Sequence, residues 1–232
     1  MTLHELLGLP MEKKHVVSLC GGGGKTTLMF ALARETKAIM PTAIFTTTHI
    51  MPLEEADVML SVPFSAEECR AAWSGGKIAA SGSYLAEERK FGAPEEDAMR
   101  FLCREAEAVI IEADGSRRLP VKYPAAWEPV IRPETTDIVV VAGLSALGKV
   151  PSEIVHRYAL AKERVDLSGD ALMEEQMAAL LWAGYGRFDP VFLLNQADTA
   201  ALAGRGERIC ERLRGLGAKR AVTTSLHAHI TG

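Results

Sequence analysis

Residues 16–35 read VVSLCGGGGKTTLMFALARE. A short apolar run of strand type, Val16 to Cys20, is followed by four glycines, a lysine, two threonines and an amphipathic helical pattern over Thr26 to Thr36. The order strand, glycine loop, helix is that of a phosphate cradle. Glycines let main-chain N–H groups face oxygen ligands, the helix N-terminus adds partial positive charge, and a lysine supplies a mobile cation. Gly21, Gly22, Gly23, Gly24, Lys25, Thr26 and Thr27 are therefore the candidate phosphate ligands, with the Thr26 hydroxyl offered to Mg²⁺ and Lys25 expected in a solvent-facing loop. The match to a Walker A pattern departs at Leu19, where a fifth glycine would stand. The alternative is a flexible glycine turn with no ligand.

Working outward, apolar runs of strand length recur at Ala43–Phe45, Ala108–Ile111, Ile138–Ala142, Val191–Leu194 and Arg220–Thr223. They lack polar alternation, as parallel strands buried on both faces should. Helical patterns lie between them at Ser65–Trp73, Pro94–Glu105, Asp170–Ala183 and Asp198–Leu213. Ser65 with Glu68 has the spacing of a capping box. Strand and helix alternation of this kind predicts an α/β domain, P-loop NTPase-like, with a mostly parallel sheet covered by helices on both faces. Prolines 120, 124, 129 and 133 exclude a continuous helix or central strand over about 115–133. That stretch is expected to be a shaped loop or small hairpin inserted in a single domain spanning 1–232.

Two further strand ends carry chemistry. The run AVIIEADG, residues 108–115, delivers Glu112 and then Asp114 to the C-terminal edge of the sheet. In the acid-x-x-Gly form, Glu112 is the metal-side acid, Asp114 a second catalytic carboxylate, and Gly115 an N–H donor to the terminal phosphate. Lys25 joins them as the catalytic cation. Two solvated carboxylates in a turn would look the same. At 191–198, VFLLNQAD resembles the guanine-reading Asn-Lys-x-Asp signature through Asn195 and Asp198. A carboxylate accepts both N1–H and N2–H₂ of guanine, whereas adenine presents a lone pair at N1. Gln196 replaces the usual lysine, and a helix N-cap at Asp198 would fit equally well.

Composition bounds the classes of function. The chain has 232 residues, 48% apolar and 24% charged, with 20 Gly and 11 Pro, which excludes disorder and a collagenous repeat. Lys plus Arg is 26 and Asp plus Glu 30, a net charge of −4, so no general pull toward nucleic acid or anionic lipid exists. No apolar run reaches the ~20 residues that span a bilayer, and MTLHELLGLPMEKKH has no basic start followed by an apolar core. A cytoplasmic protein without membrane or nucleic-acid partners is expected. Cys20, Cys69, Cys103 and Cys210 are scattered, which favours free buried thiols. His227 and His229 form the one close histidine pair, too isolated to signal a metal centre.

Taken together, CGGGGKTTLMFALA, FTTTHI, IIEADGSRRLPVKYPAAWEPVI and the later GLSALGK with VHR resemble the YqeC family. The EADGSRRLPVK string is the most specific part. Members are described as accessory factors for selenium-dependent molybdenum hydroxylases, or selenium cofactor biosynthesis proteins. The resemblance implies a P-loop fold and a maturation role, with a molybdenum hydroxylase or its cofactor-assembly proteins as partners. Three readings follow: a Mg²⁺-dependent enzyme that consumes GTP or ATP, a nucleotide-switched chaperone or scaffold with little catalysis, and a small-molecule kinase or ligase. Thr48 and His49 at a strand end are candidates to hold Mg²⁺-bound water or a substrate, and Arg117, Arg118 and Lys122 after the acidic pair to clamp a terminal phosphate or an anionic second substrate, the acceptor site of the last reading. His156 and Arg157 have no role assigned by sequence.

Overall fold

The computed structural model describes residues 1–48, 56–85 and 90–231. The chain forms two compact units, Met1–Leu19 with Leu28–Gly115 and Val130–Asp137, and Cys20–Thr27 with Ser116–Pro129 and Ile138–Gly232. Chain order through the first unit is α1 (Leu3–Leu7), β1 (His15–Gly21), α2 (Lys25–Thr36), β2 (Thr42–Thr46), β3 (Val58–Ser61), α3 (Ala66–Ser74), β4 (Ile78–Ser81), β5 (Ser83–Leu85), β6 (Lys90–Gly92), α4 (Glu96–Glu105) and β7 (Ala108–Glu112). Then come β8 (Val121–Lys122), β9 (Asp137–Gly143), α5 (Pro151–Ile154), β10 (Val155–His156), α6 (Tyr158–Ala161), α7 (Glu174–Tyr185), β11 (Val191–Asn195), α8 (Ala200–Leu216), β12 (Arg220–Thr223) and α9 (Leu226–Thr231). Eight of these strands belong to one mostly parallel sheet flanked by helices.

In the first unit the strands stand in the order β3, β4, β2, β7, β1. Every residue of β1, β2 and β7 is buried, the environment their unbroken apolar runs require. Their parallel register pairs Leu19 and Thr46 with the two sides of Glu112, so this carboxylate ends a strand enclosed by neighbours. The core between sheet and helices is built on Phe45, Val109, Ile111 and Phe101. Trp73 lies parallel to Phe101 at 6.1 Å and donates its indole N–H to Thr42 O at 3.0 Å. Strands β3 and β4 and the antiparallel pair β5–β6 were not expected from sequence. Ile78-Ala-Ala-Ser has little strand propensity of its own, and pairing with β2 and β3 orders it. Ser65 does cap α3, accepting from Glu68 N at 3.3 Å.

In the second unit β9, β11 and β12 run parallel, with Gly143 opposite Asn195 and Leu194 opposite Thr223. Helix α7 begins at Glu174, four residues beyond the expected Asp170, because the Gln176 side chain accepts Met173 N at 3.0 Å and closes the first turn there. Helix α8 is capped by Thr199, whose hydroxyl accepts Leu202 N at 3.2 Å, so the expected start at Asp198 is corrected by two residues. Glu174 joins α7 to α8 by accepting from both Arg205 and Arg208. The proline stretch contains no helix, as expected. Its one strand, β8, pairs in parallel with β10 and so is not half of a hairpin. All four cysteines are buried and none forms a disulfide, and burial pushes the thiols of Cys69, Cys103 and Cys210 up to about 11. Among the described residues no helix is long and apolar enough to cross a membrane.

Candidate phosphate-binding site

The glycine loop follows β1 in the chain and belongs to the second unit. Gly22 N–H donates to Val141 O at 2.8 Å, and Gly21, Gly23 and Gly24 have φ of 91°, 77° and 123°. Left-handed backbone of this kind excludes most side chains. Close approach excludes them as well: a Cβ on Gly24 would lie 2.5 Å from Asn195 Nδ2, and one on Gly22 2.5 Å from Leu119 O. The loop thus needs its glycines for packing against protein, in addition to any ligand. Lys25 opens α2 and turns back, its Nζ donating to Gly21 O at 2.7 Å. The solvent-facing position expected for this lysine is corrected: it is only 4% exposed. Thr26 is half-buried and Thr27 exposed. The result is an ammonium folded back onto its own glycine loop at the first turn of a twelve-residue helix.

Asn195 and Asp198 have different jobs. The Asn195 amide donates to Gly23 O at 2.7 Å and accepts Leu226 N at 3.0 Å, so it staples the glycine loop to the first turn of α9. Both ends of that amide bond to protein, which makes Asn195 a positioning residue. Asp198 is exposed, and Ser225 Oγ donates to its Oδ1 at 2.5 Å. Ala197 N–H to Thr224 O and Thr224 N–H to Leu194 O tie the 195–198 segment to the end of β12. Gln196, with φ 69°, accepts Ser145 N at 3.4 Å. Sequence reasoning passed over Ser225; its place in the TTSLH string directly after a strand was the available signal.

In the first unit, Glu112 and Asp114 are both buried at and just beyond the end of β7. Thr46 Oγ1 and Thr47 N–H each donate to Glu112 O at 3.0 Å, and Thr48 N–H donates to Thr46 Oγ1 at 3.0 Å. The Thr-rich strand end therefore secures the β7 main chain. Gly115 follows and has open space around its Cα. His49 lies outside the described residues.

Of the basic candidates, Arg117 and Arg118 are exposed, with left-handed φ of 52° and 62°. Lys122 is instead fully buried, its Nζ 3.0 Å from Glu128 Oε1. Arg157 donates to both oxygens of the same carboxylate at 2.9 and 3.0 Å. Burial alone would raise the Glu128 pKa; Arg157, the Ala125 N–H and Lys122 outweigh it and hold the carboxyl at about 2. Lys122 is thus the inner member of a structural ion triad.

The family model described as "YqeC protein" matches residues 17–159. A relative from Escherichia coli (strain K12), carrying the description "Uncharacterized protein YqeC", is 32% identical over 196 residues, covering 78% of this chain and 72% of the relative. The matched region includes the glycine loop, the β7 carboxylates and the Glu128 triad.

Proposed function

The chain belongs to the YqeC family, and from that premise we propose that Gly21–Thr27 binds the phosphates of a magnesium nucleoside triphosphate, GTP in preference to ATP. The observation that carries this reading is the Lys25 ammonium closed over Gly21 O at 2.7 Å, inside a loop of left-handed glycines at a helix N-terminus. Main-chain amides and one cation in that arrangement suit phosphate oxygens and little else. The donor set also fits magnesium, since Thr26 brings a half-buried hydroxyl to the first turn. Bound with the triphosphate, the metal would neutralise charge on the phosphates.

Lys25 holds the phosphates and offsets their charge. On the acid-x-x-Gly pattern at the end of β7, Glu112 takes the role at the metal or the attacking water, Asp114 is the second carboxylate, and Gly115 offers an N–H to the terminal phosphate. Guanine preference is supported by Asp198, an exposed carboxylate aimed by the Ser225 hydroxyl. A carboxylate held in one orientation can accept two adjacent donors of guanine, and adenine would leave it mispaired. The family resemblance supplies the pathway: a nucleotide-dependent step in maturing selenium-dependent molybdenum hydroxylases.

Isothermal titration with GTP and ATP, with and without Mg²⁺, tests the reading. Magnesium-dependent GTP binding that is weakened about ten- to a hundredfold in Lys25→Ala is the expected result. No binding of either nucleotide to the folded protein rejects it.

A further inference from the structure

Helix α9 has six residues, and a helix of that length is marginal in water without tertiary support. Its support is small and specific. Among residues 226–229 Leu226 is buried, while His227, Ala228 and His229 are exposed. Leu226 is 1% exposed, and its Cδ1 lies 3.7 Å from where a Cβ on Gly24 would stand, so this apolar anchor of α9 packs beside the glycine loop. An element with few buried contacts sits at the low end of local stability.

The polar anchors come from the proposed nucleotide site. Gly23 O can only accept and Leu226 N–H can only donate, so the two hydrogen bonds of the Asn195 amide, at 2.7 and 3.0 Å, fix which end faces which. Leu226 N–H thereby holds the amide with its Nδ2 aimed at the loop. Ser225 makes the corresponding link at the base end. Its hydroxyl donates to Asp198 Oδ1 at 2.5 Å and accepts Ala228 N–H at 3.4 Å, while its carbonyl accepts His229 N–H at 3.3 Å, the opening bond of the helix. The loop assigned to the phosphates and the carboxylate assigned to guanine are thus both tied to the first turn of α9, and all of these residues belong to one unit. When α9 leaves, Asn195 Oδ1 loses its donor, Leu226 withdraws from Gly24, and the hold on Gly23 O and on Asp198 relaxes together. A ligand that needs both groups in place binds the docked state better, and a two-state element biased from two sites is what coupling requires.

We propose that α9 is a nucleotide-responsive element: bound nucleotide holds it docked, and undocking of α9 releases nucleotide. The inference rests on the reading of Gly21–Thr27 and Asp198 as nucleotide ligands. Coupling of this kind is reciprocal, so it is measurable from both ends.

Amide hydrogen exchange of the full chain, followed by mass spectrometry over residues 226–229, reads the first end. Saturating GTP and Mg²⁺ should slow it about fivefold or more, the lower end of ordinary coupling between sites. His229→Pro reads the second, because proline there removes the N–H bonded to Ser225 O and clashes with that carbonyl, while the side chain it replaces is exposed. By calorimetry the GTP Kd should rise about fivefold or more in His229→Pro and keep the parent's value in His229→Ala, which preserves the helix. Circular dichroism checks that each variant is folded, and the exchange measurement on the parent decides the matter without any variant. GTP binding with unchanged exchange over 226–229, a parent-like Kd in folded His229→Pro, or an equal loss of affinity in His229→Ala would each overturn this inference and leave the nucleotide reading standing. Failure of the parent protein to bind either nucleotide overturns both.

Discussion

Lys25 illustrates how much one side chain's direction decides. Its ammonium is buried and bonded to a main-chain oxygen of its own loop, so removing it takes away a charge-assisted donor at the centre of the proposed site. Lys25→Ala should weaken nucleotide binding by about ten- to a hundredfold, the equivalent of ~1.5–3 kcal/mol, measured by calorimetry on a variant with unchanged circular dichroism. The base end gives a sharper test. Asp198→Asn should shift preference from GTP toward XTP, because xanthine presents a C2 carbonyl where guanine presents an amino group. Ser225→Ala should keep GTP binding and narrow the GTP to ATP ratio, since it loosens the carboxylate without removing it. Competition binding of the three nucleotides reads both outcomes, and an unmutated protein that binds ATP and GTP equally refutes guanine reading. The glycine loop and its lysine form a local pattern that the sequence shows, though not the burial of the lysine. The hydrogen bonds of Asn195 to Gly23 and of Ser225 to Asp198 were not legible, since the partners lie 172 and 27 residues away.

At the scale of elements, α1 is tied to α2 by Glu35, which accepts from Leu3 N, His4 N and His4 Nδ1 at 2.7, 3.1 and 2.6 Å. The His4 ring meets His15 at the start of β1, with centroids 5.4 Å apart. Both rings are buried, and neither Nε2 has a hydrogen-bond partner among the described residues. Burial, aided by His4, holds His15 below its ordinary 6.5, against the opposing pull of Lys13 O and Asp137. A base with a lowered folded pKa is carried neutral into the fold. Its contribution to stability is constant above about pH 6.5 and is lost as pH falls through that value, by at most ~1.4 kcal/mol per unit. His156 is lowered as well and adds to the same slope. His15→Leu should therefore flatten, without abolishing, the fall in urea stability between about pH 7 and pH 5. Equal slopes in parent and variant would show that His15 is not carried neutral. Glu35, held below its ordinary 4.5 by His4 and the α1 amides despite burial, withdraws its support only at lower pH.

For the whole molecule, the family reading asks for turnover as well as binding. Glu112→Gln should suppress Mg²⁺-dependent nucleotide hydrolysis more than nucleotide affinity, because a metal-side acid acts on the reacting state. Asp114→Asn should be milder, and the reverse order, measured by phosphate release, would reassign the acid. The positions of six strands and of the glycine loop were determined by sequence alone, because an unbroken apolar run can be buried only between two covered faces and a left-handed turn admits little but glycine. Strands β3 and β4, the burial of Lys25 and the capture of Lys122 by Glu128 were decided only by tertiary structure. The physical reason is the same in each case. Short strands and long flexible cations have no preference strong enough to act alone, and they take their places from partners that the fold brings to them.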